Sequence, residues 1–281
     1  MSDNSGITYQ IIEKSLSIPG VKVNRRDFLI EIFADKIAQE EIHLLLTLGP
    51  VKSELFTPEQ LKKAAIKNCN KNKWQCSATS FASGIPGGFA MFGTIPLDTM
   101  QFFGFNLRVA QQIAYIYGHE DFWSGDVLDN ERVESELVVF LGTMLGAGGA
   151  AQVTRLLSAQ LAKKVATDLP KKALTKTIYY PIIKNIAKSI GINLTKNTFA
   201  KGLSKIIPVL GGALSGGITY KSMSVMNKRL YEAFDASVDY TKEEIIQDLK
   251  DLKKSMPDIF QRENGITDVE FISINENYKP N

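Results

Sequence analysis

The chain has 281 residues, enough for one large domain or two small ones, and its 44% hydrophobic and 22% charged residues exclude a largely disordered polymer. A net charge of only +3 gives no case for a nucleic-acid partner. Two cysteines, Cys69 and Cys76, are too few for a disulfide framework and have no metal-ligand partners in sequence, so no cofactor or metal is expected.

The N-terminus is polar, without the apolar stretch of a secretory signal. A short apolar turn, Tyr9-Gln-Ile-Ile12, lies in the first twenty residues. Asn24 precedes a helical stripe of Phe28, Leu29, Ile32, Phe33 and Ile37. A second helix is predicted from Glu40 to Leu48, stopped by Gly49-Pro50. Thr57-Pro-Glu-Gln60 has the spacing of a capping box with proline at the first helical position. That helix is expected to end in a polar loop, Asn68-Cys-Asn-Lys-Asn-Lys. Residues 1–73 then form a small helical N-terminal unit.

Residues 74–235 read as a glycine-rich helical core. Asp98-x-x-Gln101 opens a long apolar helix, Thr99 to Tyr117, stopped by Gly118. An acidic loop, 119–130, leads to a helix around Glu131–Leu145 and the run Gly142-Thr-Met-Leu-Gly-Ala-Gly-Gly149. Helices broken near Pro170, Pro181 and Gly191 fill the basic stretch that follows. A third glycine-rich run, Ile206–Tyr220, precedes a helix to about Asp235. Residues 236–281 are a charged helix and tail: Thr241-x-x-Glu244 is another capping box, and Val269–Ile274 has the pattern of a short strand. The fold class expected is all-α, a multi-helix bundle with glycine-rich apolar helices.

Charge is unevenly distributed. Residues 155–205 hold eleven Lys or Arg against one acid, Asp168, a balance of +10. Residues 231–281 are −6, and residues 120–136 are also −6. Such blocks imply internal docking or an anionic partner. Lys163, Lys164, Lys171, Lys172, Lys176, Lys184 and Lys188 interleave with Leu, Ala, Val, Ile and Tyr, the composition of a helix lying on an anionic membrane surface. The alternative is the solvated face of a bundle.

Three stretches carry no charge: Trp74–Leu97, Leu137–Thr154 and Ile206–Tyr220. None is a convincing constitutive span. Gly84 and Gly88, Gly142 and Gly146, and Gly212 and Gly216 repeat the four-residue spacing that lets helix backbones approach closely. They are the candidate helix-packing residues, either in a tight soluble core or in a hairpin at a membrane. Asp98, in an apolar run, is a helix N-cap or a functional carboxylate paired with Arg108 or another base. Gly146-x-Gly148-x-x-Ala151 imitates a dinucleotide fingerprint but needs a preceding strand. His43 and His119 lack metal-ligand spacing, and there is neither a nucleophile elbow nor a phosphate-binding Gly-Lys-Ser/Thr loop. No catalytic residue is therefore assigned, and a non-enzymatic role is expected.

Gly84-Ile-Pro-Gly-Gly88, Ile95-Pro-Leu-Asp98, Gln111-Gln-Ile-Ala-Tyr-Ile-Tyr-Gly118 and Ile207-Pro-Val-Leu-Gly-Gly212 together resemble the EcsC family of bacterial proteins. They are also similar to a helical domain of unknown function appended to some bacterial GTPases. The likeness covers roughly residues 75–235. It implies a helical, membrane-associated protein without established catalytic residues, in a transport or secretion context. The expected location is cytoplasmic, peripheral to the inner face of the cell membrane or inserted there. Its expected partners are an anionic membrane surface or lipid and a membrane protein. The rival expectation is a soluble helical interaction module that binds a partner protein or a lipid.

Overall fold

The computed structural model describes residues 11–78, 97–129, 133–161 and 216–255, with side chains described for these except 73–78, 97–99, 134–135, 160–161 and 216–220. Helix accounts for 77% of the described residues, and their only sheet is a two-stranded ribbon. The all-α expectation holds at that level.

Residues 11–16 are helical and bury Ile11, Ile12 and Leu16. Helix α1 (Arg25–Phe33) starts where Asn24 accepts a hydrogen bond from the Asp27 N–H at 3.0 Å. The predicted stripe is interrupted after Phe33 by a 3₁₀ turn, Ala34–Lys36, and Ile37 is extended. Helix α2 (Ile42–Lys52) contains the predicted stop as a kink: Gly49 has φ +79°, and Pro50 begins a further short turn. A Cβ on Gly49 would lie 2.9 Å from the Arg25 guanidinium.

Helix α3 (Pro58–Ala78) opens with the predicted box. The Thr57 N–H donates to Gln60 Oε1 at 2.8 Å, and the Gln60 N–H to Thr57 Oγ1 at 3.3 Å. The expected loop at Asn68 does not form. The helix continues through it to Ala78, and so through residues 73–74, where composition suggested a boundary. The reason is tertiary. Asn68 and Asn72 are buried, and both donate to Gln112 Oε1, at 3.1 and 2.7 Å. Lys67 and Lys71 turn outward to solvent. Inward carboxamides with partners override asparagine's weak helix preference.

Helix α4 (Leu97–Ile116) ends as predicted. Gly118 has φ +87°, its N–H donates to Tyr115 O at 3.1 Å, and the His119 N–H reaches back to Ala114 O at 3.0 Å. These paired bonds make a Schellman motif. The acidic loop carries the ribbon β1 (Trp123–Ser124) and β2 (Val127–Leu128), with Ser124 opposite Val127. Lys22 pins its turn, donating to Gly125 O at 2.6 Å and to the Asp126 carboxylate at 2.5 Å.

A π-helical turn, Val133–Leu137, leads into helix α5 (Val138–Leu145), every residue of which is buried. Its end is a second Schellman motif: Gly146 (φ +75°) donates to Thr143 O at 3.0 Å, and the Ala147 N–H to Gly142 O at 2.8 Å. Helix α6 (Ala150–Leu161) follows after Gly149. The run Gly146-x-Gly148-x-x-Ala151 thus follows a helix and not a strand, and lacks the context a dinucleotide site requires.

Helix α7 (Gly216–Val238) packs against α3, α4, α5 and α6, and α8 (Lys242–Ser255) packs on α6. The Thr241 box forms: the Thr241 N–H donates to Glu244 Oε2 at 2.9 Å, and the Glu244 N–H to Thr241 Oγ1 at 3.2 Å. Three contacts place these helices. Lys62 near the start of α3 pairs with Asp235 near the end of α7 at 2.6 Å. Asn72 of α3 meets Gln112 of α4. Tyr117, just beyond α4, stacks on Phe234 of α7 with ring centroids 5.3 Å apart.

Gly146 gives a direct test. Its left-handed φ disfavours any Cβ, and one placed there would meet the Arg229 guanidinium at 2.9 Å. That guanidinium can swing aside, so backbone strain sets the cost. We expect Gly146→Ala to lose about 1–2 kcal/mol and Gly146→Asn less, measured by urea denaturation. Equal stability of the alanine variant would contradict the turn.

Candidate functional site

The Schellman turn at Gly118 swings His119 back among the helices, where 1% of its surface is exposed. Its ring stands edge-on to Phe140 (4.9 Å between centroids) and Phe234 (5.2 Å). Its Nδ1 lies 2.7 Å from the Glu136 carboxylate, also 1% exposed, and its Nε2 lies 3.2 Å from Ser158 Oγ. Glu136 comes from the π-helical turn and Ser158 from α6. The relay continues: Ser158 Oγ donates to Thr154 O at 2.8 Å, and Thr154 Oγ1 meets Thr143 Oγ1 at 2.8 Å. Thr143 Oγ1 in turn donates to Val139 O at 3.1 Å.

Carboxylate, imidazole and hydroxyl stand here in the order of a nucleophilic triad. Ser158 Oγ has two acceptors in reach, His119 Nε2 and, at 2.8 Å, Thr154 O in the preceding turn of its own helix. The direction of the His119–Ser158 bond follows the imidazole tautomer. The relay joins the end of α4, the π turn and α6 through satisfied polar groups in an aromatic setting.

The same turn serves a second cluster. Arg25 Nε donates to His119 O at 2.8 Å and Nη1 to Leu46 O at 3.2 Å, so one cation sits at carbonyls near the ends of α4 and α2. Beside it lies a cleft of about 240 Å³, lined by Arg25, Arg26, Lys52, Glu120 and Asp121 among others. Leu44 and Leu48 are exposed on the neighbouring face of α2. Tyr115 donates to Asp121 Oδ1 at 2.8 Å, and burial pushes its phenol well above the ordinary range.

Gln111 and Gln112 both have structural employment. Gln111 accepts from Trp123 Nε1 at 2.7 Å and donates to Val21 O at 3.0 Å, tying the ribbon and the N-terminal segment to α4. Gln112 receives Asn68 and Asn72. Arg108 donates to the carbonyls of Gly20 and Lys22, and burial lowers its pKa.

Of the residues singled out in the sequence, Gly142 and Gly146 form the carbonyl and the left-handed turn of one cap. Their four-residue spacing reflects that motif. Gly146 does mark a close approach, since Arg229 of α7 crosses it to donate to Met144 O at 3.3 Å. Asp98 falls in the first turn of α4 and Gly216 is the first residue of α7. The Asp98 side chain is not among those described. Gly84, Gly88, Gly212, Lys163, Lys164, Lys171, Lys172, Lys176, Lys184, Lys188 and the strand predicted at 269–274 lie outside the described residues. His43 is exposed on α2. Among the described residues no cluster of three His, Cys, Asp or Glu could hold a metal, and no helix is long and apolar enough to cross a membrane. The sequence gives His119 only as the residue after a helix stop. Nothing in it announces the pairing with Glu136, because a π turn sets the face that Glu136 presents. Comparison of the chain with protein families, with curated proteins and with solved structures finds no match.

If the relay is structural, removing half of the His119–Glu136 pair should be worse than removing both. Glu136→Ala should cost roughly 1–3 kcal/mol, the cost of a buried group left without its partner, whereas the double change His119→Leu with Glu136→Leu should cost less than that single change. Urea midpoints of the two variants decide it, and a double variant weaker than the single would oppose the reading.

Proposed function

We propose that this chain is a non-enzymatic, membrane-associated helical protein that a basic block attracts to an anionic membrane surface, with glycine-rich apolar stretches at the same surface. The observation that carries the reading is the separation of charge: +10 over residues 155–205 in a chain of net +3. The motifs that resemble the EcsC family agree with a membrane-associated role, cytoplasmic and at the inner face, in transport or secretion.

Each basic residue near an anionic leaflet contributes about 1 kcal/mol, so a handful facing lipid suffices for recruitment. That attraction decays over a Debye length, about 10 Å at 0.1 M salt and about 3 Å at 1 M. Co-sedimentation with anionic vesicles should accordingly fall as salt rises, and neutral vesicles should bind far less. Changing Lys163, Lys164, Lys171 and Lys172 together to Gln should weaken binding by on the order of 1,000-fold. Binding that survives high salt and needs detergent for release would favour insertion of the apolar stretches. No sedimentation with any lipid would replace this reading with a soluble module that binds a partner protein.

A further inference from the structure

Helix α8 packs on α6, which carries Arg155. It buries Ile245, Leu249 and Leu252 on one face, and Asp248 lies among them at 7% exposure. The opposite face, with Glu243, Gln247, Lys250, Asp251 and Lys254, is exposed. Asp248 takes both arms of Arg155 on α6: Nε reaches Oδ2 at 2.7 Å and Nη2 reaches Oδ1 at 2.6 Å. The Tyr240 hydroxyl also donates to Oδ2. Arg155 is the first of the eleven bases in the 155–205 block.

A guanidinium held by two parallel hydrogen bonds is in the geometry it uses for a phosphate as well as for a carboxylate. Helix α8 is joined to α7 by residues 239–241 alone. Tyr240 in that connection holds the carboxylate in place.

We propose that Arg155 is a receptor for the phosphate of an anionic lipid, and that α8 keeps it closed by supplying Asp248 as an internal substitute. The exchange makes and breaks no covalent bond: a lipid phosphate replaces the carboxylate on the guanidinium as α8 swings away about residues 239–241. It also uncovers the surface of α6 beneath Ile245, Leu249 and Leu252, so charge and apolar contact become available together. This inference rests on the membrane reading above and assigns its regulation.

The test compares the full-length chain with Asp248→Asn, which keeps the side-chain size and removes the charge. The probes are vesicles of phosphatidylglycerol in phosphatidylcholine, vesicles of phosphatidylcholine alone, and inorganic phosphate. Asp248→Asn should bind the anionic vesicles about tenfold more tightly than the wild type, a gain of one charge-assisted contact. Adding Arg155→Gln should erase that gain. In the wild type, anionic vesicles should speed hydrogen exchange in 242–255. Wild type and Asp248→Asn binding equally well would overturn the closed-receptor proposal and leave the membrane reading standing. Failure of every variant to bind would overturn both. A gain that persists after Arg155→Gln would remove Arg155 as the receptor. Release of α8 by millimolar inorganic phosphate alone would overturn the assignment to lipid. If Asp248→Asn fails to fold by circular dichroism, Tyr240→Phe removes one hydrogen bond to the same carboxylate. It should then shift binding in the same direction by a smaller factor, and no shift would count against the proposal.

Discussion

The left-handed turn at Gly118 fixes one residue on which four elements converge. By reversing the chain there, it brings the His119 carbonyl to Arg25 at the start of α1 and the His119 ring to Glu136 and Ser158. A right-handed residue at 118 would send the imidazole elsewhere. Glu136 and Ser158 would then each lose a partner in places with little water, and Arg25 one of its carbonyl acceptors. Gly49 is the complementary condition on the other side, because its missing side chain leaves room for the same Arg25 guanidinium. Two glycines far apart in sequence therefore serve one ion.

Helix α7 plays the corresponding role for the apolar interior. It touches α3, α4, α5 and α6, and its Phe234 stacks on Tyr117 while meeting the edges of His119 and Phe140. Arg229 on the same helix covers the end of α5. Several interior polar groups pair with one another: Asn68 and Asn72 with Gln112, Glu136 with His119, and Thr143 with Thr154. Such pairs keep a helix interior specific, since each amide or hydroxyl finds that partner in only one register.

Local signals were the legible part of the sequence. Asn24, Thr57, Thr241 and Gly118 act through hydrogen bonds that span three to five residues, so their spacing alone declares them. Distant satisfaction was not legible. Asn68-Cys-Asn-Lys-Asn-Lys has loop composition, and only Gln112, some forty residues on, makes it a helix. The pair Gly142 and Gly146 shows the limit of spacing itself: four residues suit both a helix face and a cap, and the positive φ at Gly146 decides for the cap. The candidate relay was the least visible, because its members are separated by 17 and 39 residues and one of them sits in a π turn.

The central position of α7 also shapes how the chain folds during synthesis. The contact between Lys62 and Asp235 spans 173 residues, so α3 and α7 cannot pair until residue 235 has been made. Helix α5, buried along its whole length in the finished protein, is complete at Leu145. At about 5–20 residues per second, it waits roughly 5–20 s for α7 to emerge. During that interval its largely apolar surface is open to chaperones, to other nascent chains or to a nearby bilayer.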